Sequence, residues 1–413
     1  VTASTQDVAI AGGGPGGILL GYLLARAGIE VTVLESRSDF DRDFRGDSLH
    51  PYTLELLDQL GLAERLLQLD HFKARSFRFH TPKAEFSVVD YDRLDSPFNY
   101  IALMPQVRFL DYLAAQALWL PSFSLEMGAK VTDLITDGTG RVTGVRHRGG
   151  EIACSLVIGA DGRFSTIRRL AGLPARSLGA ATDILWFRLP RHASDPPDAD
   201  LDLYYGQDSY VGVLGGVHDW QVGYSVAKGS YPQVRERGVE PIKEFVREHV
   251  PWLADRVHLL TDFTQTTLLS VDISRVNSWY RPGLLLLGDA AHVISPVGGN
   301  GILMAVQDAV AAANRLVPAF RAGGPQLADL AAIQQARLPA IKKVQAQQVR
   351  VERKSARARG RGRGAAPPAF LRWLFAIPAL RARGARDNAY GPYPPRLEDA
   401  VLRVYRERET HRG

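Results

Sequence analysis

Cysteine is nearly absent from this chain: one residue, Cys154, among 413. A single thiol can form neither an internal disulfide nor a cysteine metal cage, so a reducing, cytoplasmic setting is expected. Long apolar runs are missing as well. No stretch of eighteen apolar residues is free of charges or turn residues, which argues against integral membrane association. The opening "VTASTQDVAIAGGG" lacks the basic segment of a signal peptide and enters a strand within a few residues. No repeat of roughly 20–50 residues marks a solenoid. No nucleophile–base triad and no metal-ligand set can be picked out.

What is present is ordinary for a globular protein: 46% apolar and 23% charged residues, enough for two or three packed units. The net charge of +6 is unevenly placed. Residues 350–413 hold 16 Arg and Lys against 6 Asp and Glu, which leaves the remainder net acidic. The basic run "RVERKSARARGRGRG" has no interleaved aromatics on which bases could stack. It reads as a solvated helix end and loop, and no nucleic-acid partner is expected.

The segment "DVAIAGGGPGGILLGYLLARAGIEVTVLE" has the pattern strand, tight turn, helix, strand. A short glycine-bounded apolar run suits a buried parallel strand, and Gly28 stops the helix as a C-cap glycine does. Helices are predicted from Pro51 through "LELLDQLGLAERLL" and from about Val107. A pair of strands is predicted in "RVTGVRHRGGEIACSLVIGADG". From Thr182 to about Ser270, and again in "SFRFHTPKAEFSVVDY", alternating and aromatic segments predict a mostly antiparallel sheet. One amphipathic helix, "VEPIKEFVREHVPWLADRV", interrupts it, and beyond Asp308 the chain turns helical. The expected class is α/β: a GxGxxG Rossmann-like domain (1–75, 101–181 and 275–345), an inserted β-sheet domain (76–100 and 182–274), and a helical, loop-rich basic C-terminal region (346–413).

Three motifs carry chemistry. Gly12-x-Gly14-x-x-Gly17 follows a strand and opens a helix, and Glu35 ends the next strand at close to the ~20-residue offset of a dinucleotide site. Gly12 permits the turn, Gly14 lets the backbone approach a pyrophosphate, and Gly17 lets helix and strand pack. The helix start offers free N–H groups. A carboxylate at Glu35 suits ribose hydroxyls and favours FAD or NAD over NADP. The second motif is "VIGADGRFSTIRR", with Asp161-Gly162 at a strand end. The third is "LLLLGDAAHVISPVGGNGI", in which Gly288-Asp289 follows a strand and Pro296, Gly298, Gly299, Asn300 and Gly301 lead into a helix. Asp289 would accept sugar hydroxyls and repel a phosphate.

Together these motifs resemble the class A flavin-dependent aromatic monooxygenases, the para-hydroxybenzoate hydroxylase-like family, over roughly residues 7–316. The resemblance implies that Gly12, Gly14, Pro15, Gly16 and Gly17 take the ADP half of FAD. It implies that Glu35, with Ser36 and Arg37, holds the adenosine ribose. Asp161 and Gly162 would lie near the pyrophosphate, and Gly288 and Asp289 on the ribityl chain. Pro296, Gly299, Asn300, Gly301 and Ile302 would run along the isoalloxazine. Arg45 in "FRGDSLHP", and Gln106 and Arg108 in "MPQVRFLDYL", would also reach the flavin. It implies further that NAD(P)H serves as transient co-substrate, O2 as oxidant, and a flavin C4a-hydroperoxide as the species that oxygenates an electron-rich substrate; the apolar, aromatic-rich strands of the middle sheet suggest an aromatic or polycyclic molecule of the kind found in secondary metabolism. Such an enzyme is expected as a monomer or homodimer.

Substrate contacts are expected from the middle sheet, with Trp186, Arg188, Tyr204, Tyr205, Tyr210, Trp220 and Tyr224 as candidates. Trp186 and Arg188 share a face because residues two apart in a strand do. His50, Pro296 and Arg188 are the candidates for a direct part in the reaction, and His292 lies in sequence beside Asp289. A flavin-dependent halogenase, or another FAD oxidoreductase of the same fold, is the alternative. The halogenases carry Trp-x-Trp-x-Ile-Pro, and "LWFRLP" lacks the second Trp. A non-catalytic carrier built on the same fold, like the prenyl-protein escort proteins, would not need to keep Glu35, Arg45, Asp161 and Asp289 together.

Overall fold

A computed structural model describes residues 4–41, 47–296, 298–359 and 371–402. The first elements are β1 (Ser4–Ala11), α1 (Pro15–Arg26) and β2 (Val31–Leu34). Every residue of α1 except Pro15 is buried, as suits a helix that is apolar all round. It ends at Ala27, and Gly28 follows at φ +81° and donates to the Ala25 carbonyl. Next come α2 (Pro51–Gln59), β3 (Ser76–Thr81), β4 (Ala84–Asp90), α3 (Gln106–Leu118), β5 (Phe123–Glu126), β6 (Val142–His147), β7 (Gly150–Gly159) and α4 (Thr166–Leu170).

The middle of the chain supplies β8 (Thr182–Pro190), β9 (Leu201–Tyr205), β10 (Tyr210–Leu214), β11 (Asp219–Ala227), α5 (Glu240–His249) and β12 (Thr267–Leu269). The chain then returns through β13 (Leu284–Leu286) to α6 (Gly301–Arg321), α7 (Leu327–Arg359) and α8 (Pro378–Tyr390).

Two large sheets organise the molecule. In the eight-stranded one, β13, β7, β1, β2 and β5 lie side by side and parallel, with β6 antiparallel on β7. The central strands β2 and β13 and the second halves of β1 and β7 are buried throughout because helices cover them, α1 packing against both α3 and α6. The seven-stranded sheet has the order β12-β8-β11-β10-β9-β3-β4. Its pairings are antiparallel except β9 with β3, which joins the two separated segments of sequence. One face of this sheet packs Phe187, Val213 and Val222 against Ile242 and Val246 of α5, the helix with the strongly two-sided sequence. The other face turns towards the first sheet.

The C-terminal part is less separate than its composition suggests. Helix α7 runs unbroken across the boundary expected at 345/346. Helix α8 packs on β4, burying Ala385 and Ala389 with Phe86, Val88 and Tyr91. Most of the Arg-rich run falls at the end of α7 and outside the described residues.

Candidate active site

The parallel strands β1, β7 and β13 all end at one edge, and each is followed by one of the three motifs. A cleft of about 410 Å3 opens there. Gly12, Gly14, Pro15, Gly16 and Gly17 line it, as do Glu35, Ser36, Arg37, Gln106, Asp161, Gly162, Gly288, Asp289, Pro296, Gly299, Gly301 and Ile302. Stretches far apart in sequence therefore meet at a single site, as expected where parallel strands end in an α/β sheet.

The backbone of the first turn shows what the cleft is shaped for. Gly12 has φ +111°, and a Cβ there would lie 2.4 Å from the Ala160 carbonyl oxygen. At Gly17 a Cβ would lie 2.0 Å from the Gly12 oxygen. Neither position admits any other residue, so the start of α1 is pressed against the ends of β1 and β7. Gly14, in contrast, has nothing within 4 Å on its side-chain side. The first turns of α1 and α6 contain no acidic residue, and both helices begin at the cleft. An anion is welcome at such helix starts.

Glu35 is only 2% exposed. Its Oε2 accepts from the Gly13 N–H at 2.9 Å, and its Oε1 accepts from the Arg37 N–H at 3.0 Å and the Ser36 hydroxyl at 3.1 Å. These bonds fix Glu35 in place at the wall of the cleft. Asn300, expected at the cofactor, precedes α6 outside the cleft lining; its side chain makes no cap hydrogen bond, and its buried Oδ1 finds no partner among the described residues. A glycine cradle, two helix starts free of acid and a fixed carboxylate fit a dinucleotide-type cofactor. FAD would lie with its phosphates over Gly12–Gly17, its adenosine ribose at Glu35 and its ribityl chain at Asp289.

Asp161 has a different immediate task. Its Oδ2 accepts from the Thr166 and Ile167 N–H groups, at 2.6 and 3.1 Å, and its Oδ1 from the Ser165 hydroxyl. It therefore caps α4 while lining the cleft. Burial pushes its carboxyl above the usual range, against the pull of those hydrogen bonds. Arg168 then ties the second motif to the third, donating to the Arg163 oxygen at 2.7 Å and the Ala290 oxygen at 2.9 Å.

Other expected site residues are placed elsewhere. Arg108 turns away from the cleft and pairs with Asp70 at 3.2 Å. Two positions along a helix is about 200°, so Gln106 and Arg108 cannot share a face of α3. Arg45 lies outside the described residues. His292 is not directed at the cleft: its Nε2 lies 2.7 Å from Asp308 Oδ2, and both are buried. Asp308 also accepts from Arg337 Nε at 2.8 Å and from the Gly288 N–H at 3.0 Å, which pins the third motif from beneath. Neither Asp308 nor Arg337 has a local sequence signal. His50 is fully buried and places Nε2 3.2 Å from the Gly299 carbonyl oxygen. Burial lowers its pKa to about 4, so the ring is neutral and supports the Pro296–Gly299 turn instead of facing a ligand.

A second cavity, of about 130 Å3, adjoins the cleft through Pro296, Gly299 and Leu269, between that turn and the seven-stranded sheet. Trp186 lines it, as does Tyr210. Arg188 stays half exposed, 3.6 Å from Asp219. Tyr204 and Tyr224, expected to meet substrate, instead belong to the opposite face of the sheet. Tyr204 stacks on His80 with ring centres 4.1 Å apart and accepts from Trp252 Nε1 at 3.1 Å. Tyr224 packs edge-on against Phe245 of α5. Tyr205 packs against Phe79, and Trp220 is fully buried with its indole N–H on Asp195 at 2.7 Å.

Sequence reasoning missed Asp47, Gln221, Tyr91 and Asn388, all of which line the cavity. Asn388 arrives on α8, and its Oδ1 accepts from the Tyr91 hydroxyl at 2.5 Å, so the C-terminal region supplies one wall. One signal was available. Gly212 and Gly223 stand opposite each other in β10 and β11, and glycine inside strands marks a close approach. A Cβ at Gly223 would lie 3.0 Å from the Trp186 ring.

The FAD binding domain family model matches residues 5–348. The chain is 36% identical over 313 residues to a 6-methylpretetramide 4-monooxygenase of Streptomyces rimosus, covering 74% of each chain. It is 28% identical to a rifampicin monooxygenase of Streptomyces venezuelae, with 73% of this chain matched but only 62% of that relative's length spanned. Among solved structures, Pseudomonas aeruginosa PqsL in complex with 2-aminobenzoylacetate superposes with a TM-score of 0.76 at 20% identity, over 86% of this chain and 99% of that one. That last likeness shows a shared fold. The family model over residues 5–348 and the 36% relative, with the motif set, place this chain in the FAD binding domain family, among the class A flavin-dependent aromatic monooxygenases.

Proposed function

We propose that the protein hydroxylates a polycyclic aromatic small molecule, using FAD, with NAD(P)H as electron donor and O2 as oxidant. The observation that carries this reading is the adjoining pair of spaces: a glycine-walled cleft of mixed polar and apolar lining, shaped for a dinucleotide, continuous across Pro296 and Gly299 with a mostly apolar cavity walled by Trp186, Phe77, Leu203 and Leu269. The relatives named for their substrates act on 6-methylpretetramide and rifampicin, and an apolar aromatic wall suits molecules of that kind. In this reading the eight-stranded sheet and its helices hold the cofactor. The seven-stranded sheet, from 76–100 and 182–274, holds the substrate.

When bound, FAD would supply the oxygen activation. The chain's own residues bind, orient and exclude water. Gly14 and the start of α1 would take the phosphates, Glu35 and Asp289 the sugar and ribityl hydroxyls, and the Pro296–Gly301 turn the ring edge. The Asp308–His292–Arg337 cluster holds that half of the site rigid from below. Trp186 and the wall formed by Tyr91 and Asn388 would close the substrate side.

The test is NAD(P)H oxidation by FAD-loaded protein, screened against polycyclic phenols and quinones. At least one such compound is expected to accelerate oxidation several-fold over the rate without it. A protein that cannot be loaded with FAD, or whose oxidation rate no aromatic changes, would overturn the proposal.

A further inference from the structure

Asp47 stands at the seam between the two sheets. It is 9% exposed and lines the apolar cavity. Its Oδ1 accepts from the Gln106 N–H at 3.2 Å, its Oδ2 accepts from the Gln221 side-chain amide, and its own carbonyl takes the Met104 N–H at 3.0 Å. Gln106 opens α3 beside the cofactor cleft, and Gln221 projects from β11 into the cavity. The carboxylate is thus anchored from the start of α3 on one side and from β11 of the seven-stranded sheet on the other. Each of its oxygens has about two acceptor sites and uses one.

A purely structural role does not require this side chain. An asparagine could satisfy the Gln106 N–H and, through rotation of the Gln221 amide, the second contact as well. A carboxylate in apolar surroundings is costly unless a partner compensates it. Two charges face it, and they oppose each other: Arg188 favours the ionised form and Asp219 disfavours it. Asp202, Tyr91 and Tyr210 line the same cavity, but Asp202 is held by Arg78 at 2.9 Å and His80 at 2.7 Å.

We propose that Asp47 is the proton acceptor for a hydroxyl group on the aromatic substrate, and that it selects hydroxylated rings over their ethers. This rests on the reading of the site as an aromatic hydroxylase. In the step, the substrate O–H bond breaks, its electron pair stays on the ring oxygen, and an O–H bond forms on the Asp47 carboxylate. No oxidant is consumed. The ring gains electron density at the positions ortho and para to that oxygen, where an electrophilic oxygen atom attacks. Burial, partly offset by the Gln221 and Gln106 hydrogen bonds and by Arg188, raises the Asp47 pKa to about 6. The group is therefore ionised at neutral pH and more basic than an exposed carboxylate.

The experiment compares binding of 2-naphthol, whose hydroxyl stays protonated over this range, and 2-methoxynaphthalene to FAD-loaded wild-type, Asp47→Asn and Asp47→Glu proteins between pH 5 and 8. Wild-type protein is expected to prefer the hydroxy compound by at least about tenfold at pH 8, the size of a charge-assisted hydrogen bond. The preference should vanish towards pH 5 as Asp47 is protonated. Asp47→Glu should retain a preference, and Asp47→Asn should lose it at every pH while still holding FAD. An equal preference in wild type and Asp47→Asn, no preference in wild type, or no pH dependence would each overturn the assignment. The pH dependence in wild-type protein tests it even if a variant fails to fold. Failure to load FAD would instead count against the parent reading.

Discussion

Replacing Asp308 with Ala is expected to lower the stability of the protein by about 3–5 kcal/mol, the cost of leaving a buried charge without its partner. Arg337 is 1% exposed, and its Nη1 already lacks a hydrogen-bond partner among the described residues. Asp308, fully buried on α6, accepts its Nε at 2.8 Å and also takes His292 and the Gly288 N–H. Without the carboxylate, three donors lose their acceptor at once. The damage should reach function as well, because the Gly288 N–H belongs to the turn that presents Asp289 to the cleft. Urea unfolding of the two proteins measures the difference, and flavin content after gel filtration reports the turn. A variant within about 1 kcal/mol of wild type would show that the cluster is not a keystone.

The cluster also sets a pH dependence. Burial alone would raise the Asp308 pKa, but His292 and Arg337 outweigh burial and hold it below the usual range. Its contribution is therefore complete above the unfolded-state pKa of about 4, and it is lost as pH falls through the lower folded value.

Asp47→Asn should act in the opposite direction, raising stability at pH 8 by up to about 3 kcal/mol. Asp47 titrates near 6 in the folded protein against a reference of 3.8. Each unit of difference corresponds to about 1.4 kcal/mol. The sign follows from the raised value. Between pH 4 and 6 the folded state holds the proton more tightly than the unfolded chain, so stability falls as pH rises through this window, and the penalty is complete above pH 6. An isosteric amide carries no such penalty. Melting curves of the two proteins should therefore diverge from pH 5 to pH 8 and converge towards pH 4. A variant less stable than wild type at pH 8 would mean that the carboxylate is retained for structure, which contradicts a penalty accepted for chemistry.

Much of the cofactor half of the site was legible because its constraints are local. Gly12, Gly14 and Gly17 carry their reason in a few residues of backbone, and Glu35 ends a strand at a fixed offset. The middle sheet was legible through alternation, and its strands do bury one face: Phe187 packs towards α5 while Trp186 lines the cavity on the other side. Alternation cannot say which face meets a ligand, however, and Tyr204 and Tyr224 fall on the side that packs against α5 and its neighbours. Arg108 was misplaced although the helical period alone separates it from Gln106. Asp308 with Arg337, and Asn388 with Tyr91, depend on contacts between residues far apart in sequence, which no local pattern encodes. Asp47 was hidden for another reason. It lies beside Arg45 in a segment expected to matter for its basic residue, and its burial between two sheets is a tertiary fact.

The most direct test of the central claim is the source of the oxygen atom in the product. FAD-loaded protein, NAD(P)H and an accelerating polycyclic phenol, incubated under isotopically labelled dioxygen in ordinary water, should give a hydroxylated product carrying one labelled oxygen by mass spectrometry. A product without the label, or NAD(P)H oxidation that yields only hydrogen peroxide with every phenol that accelerates it, would contradict the monooxygenase account.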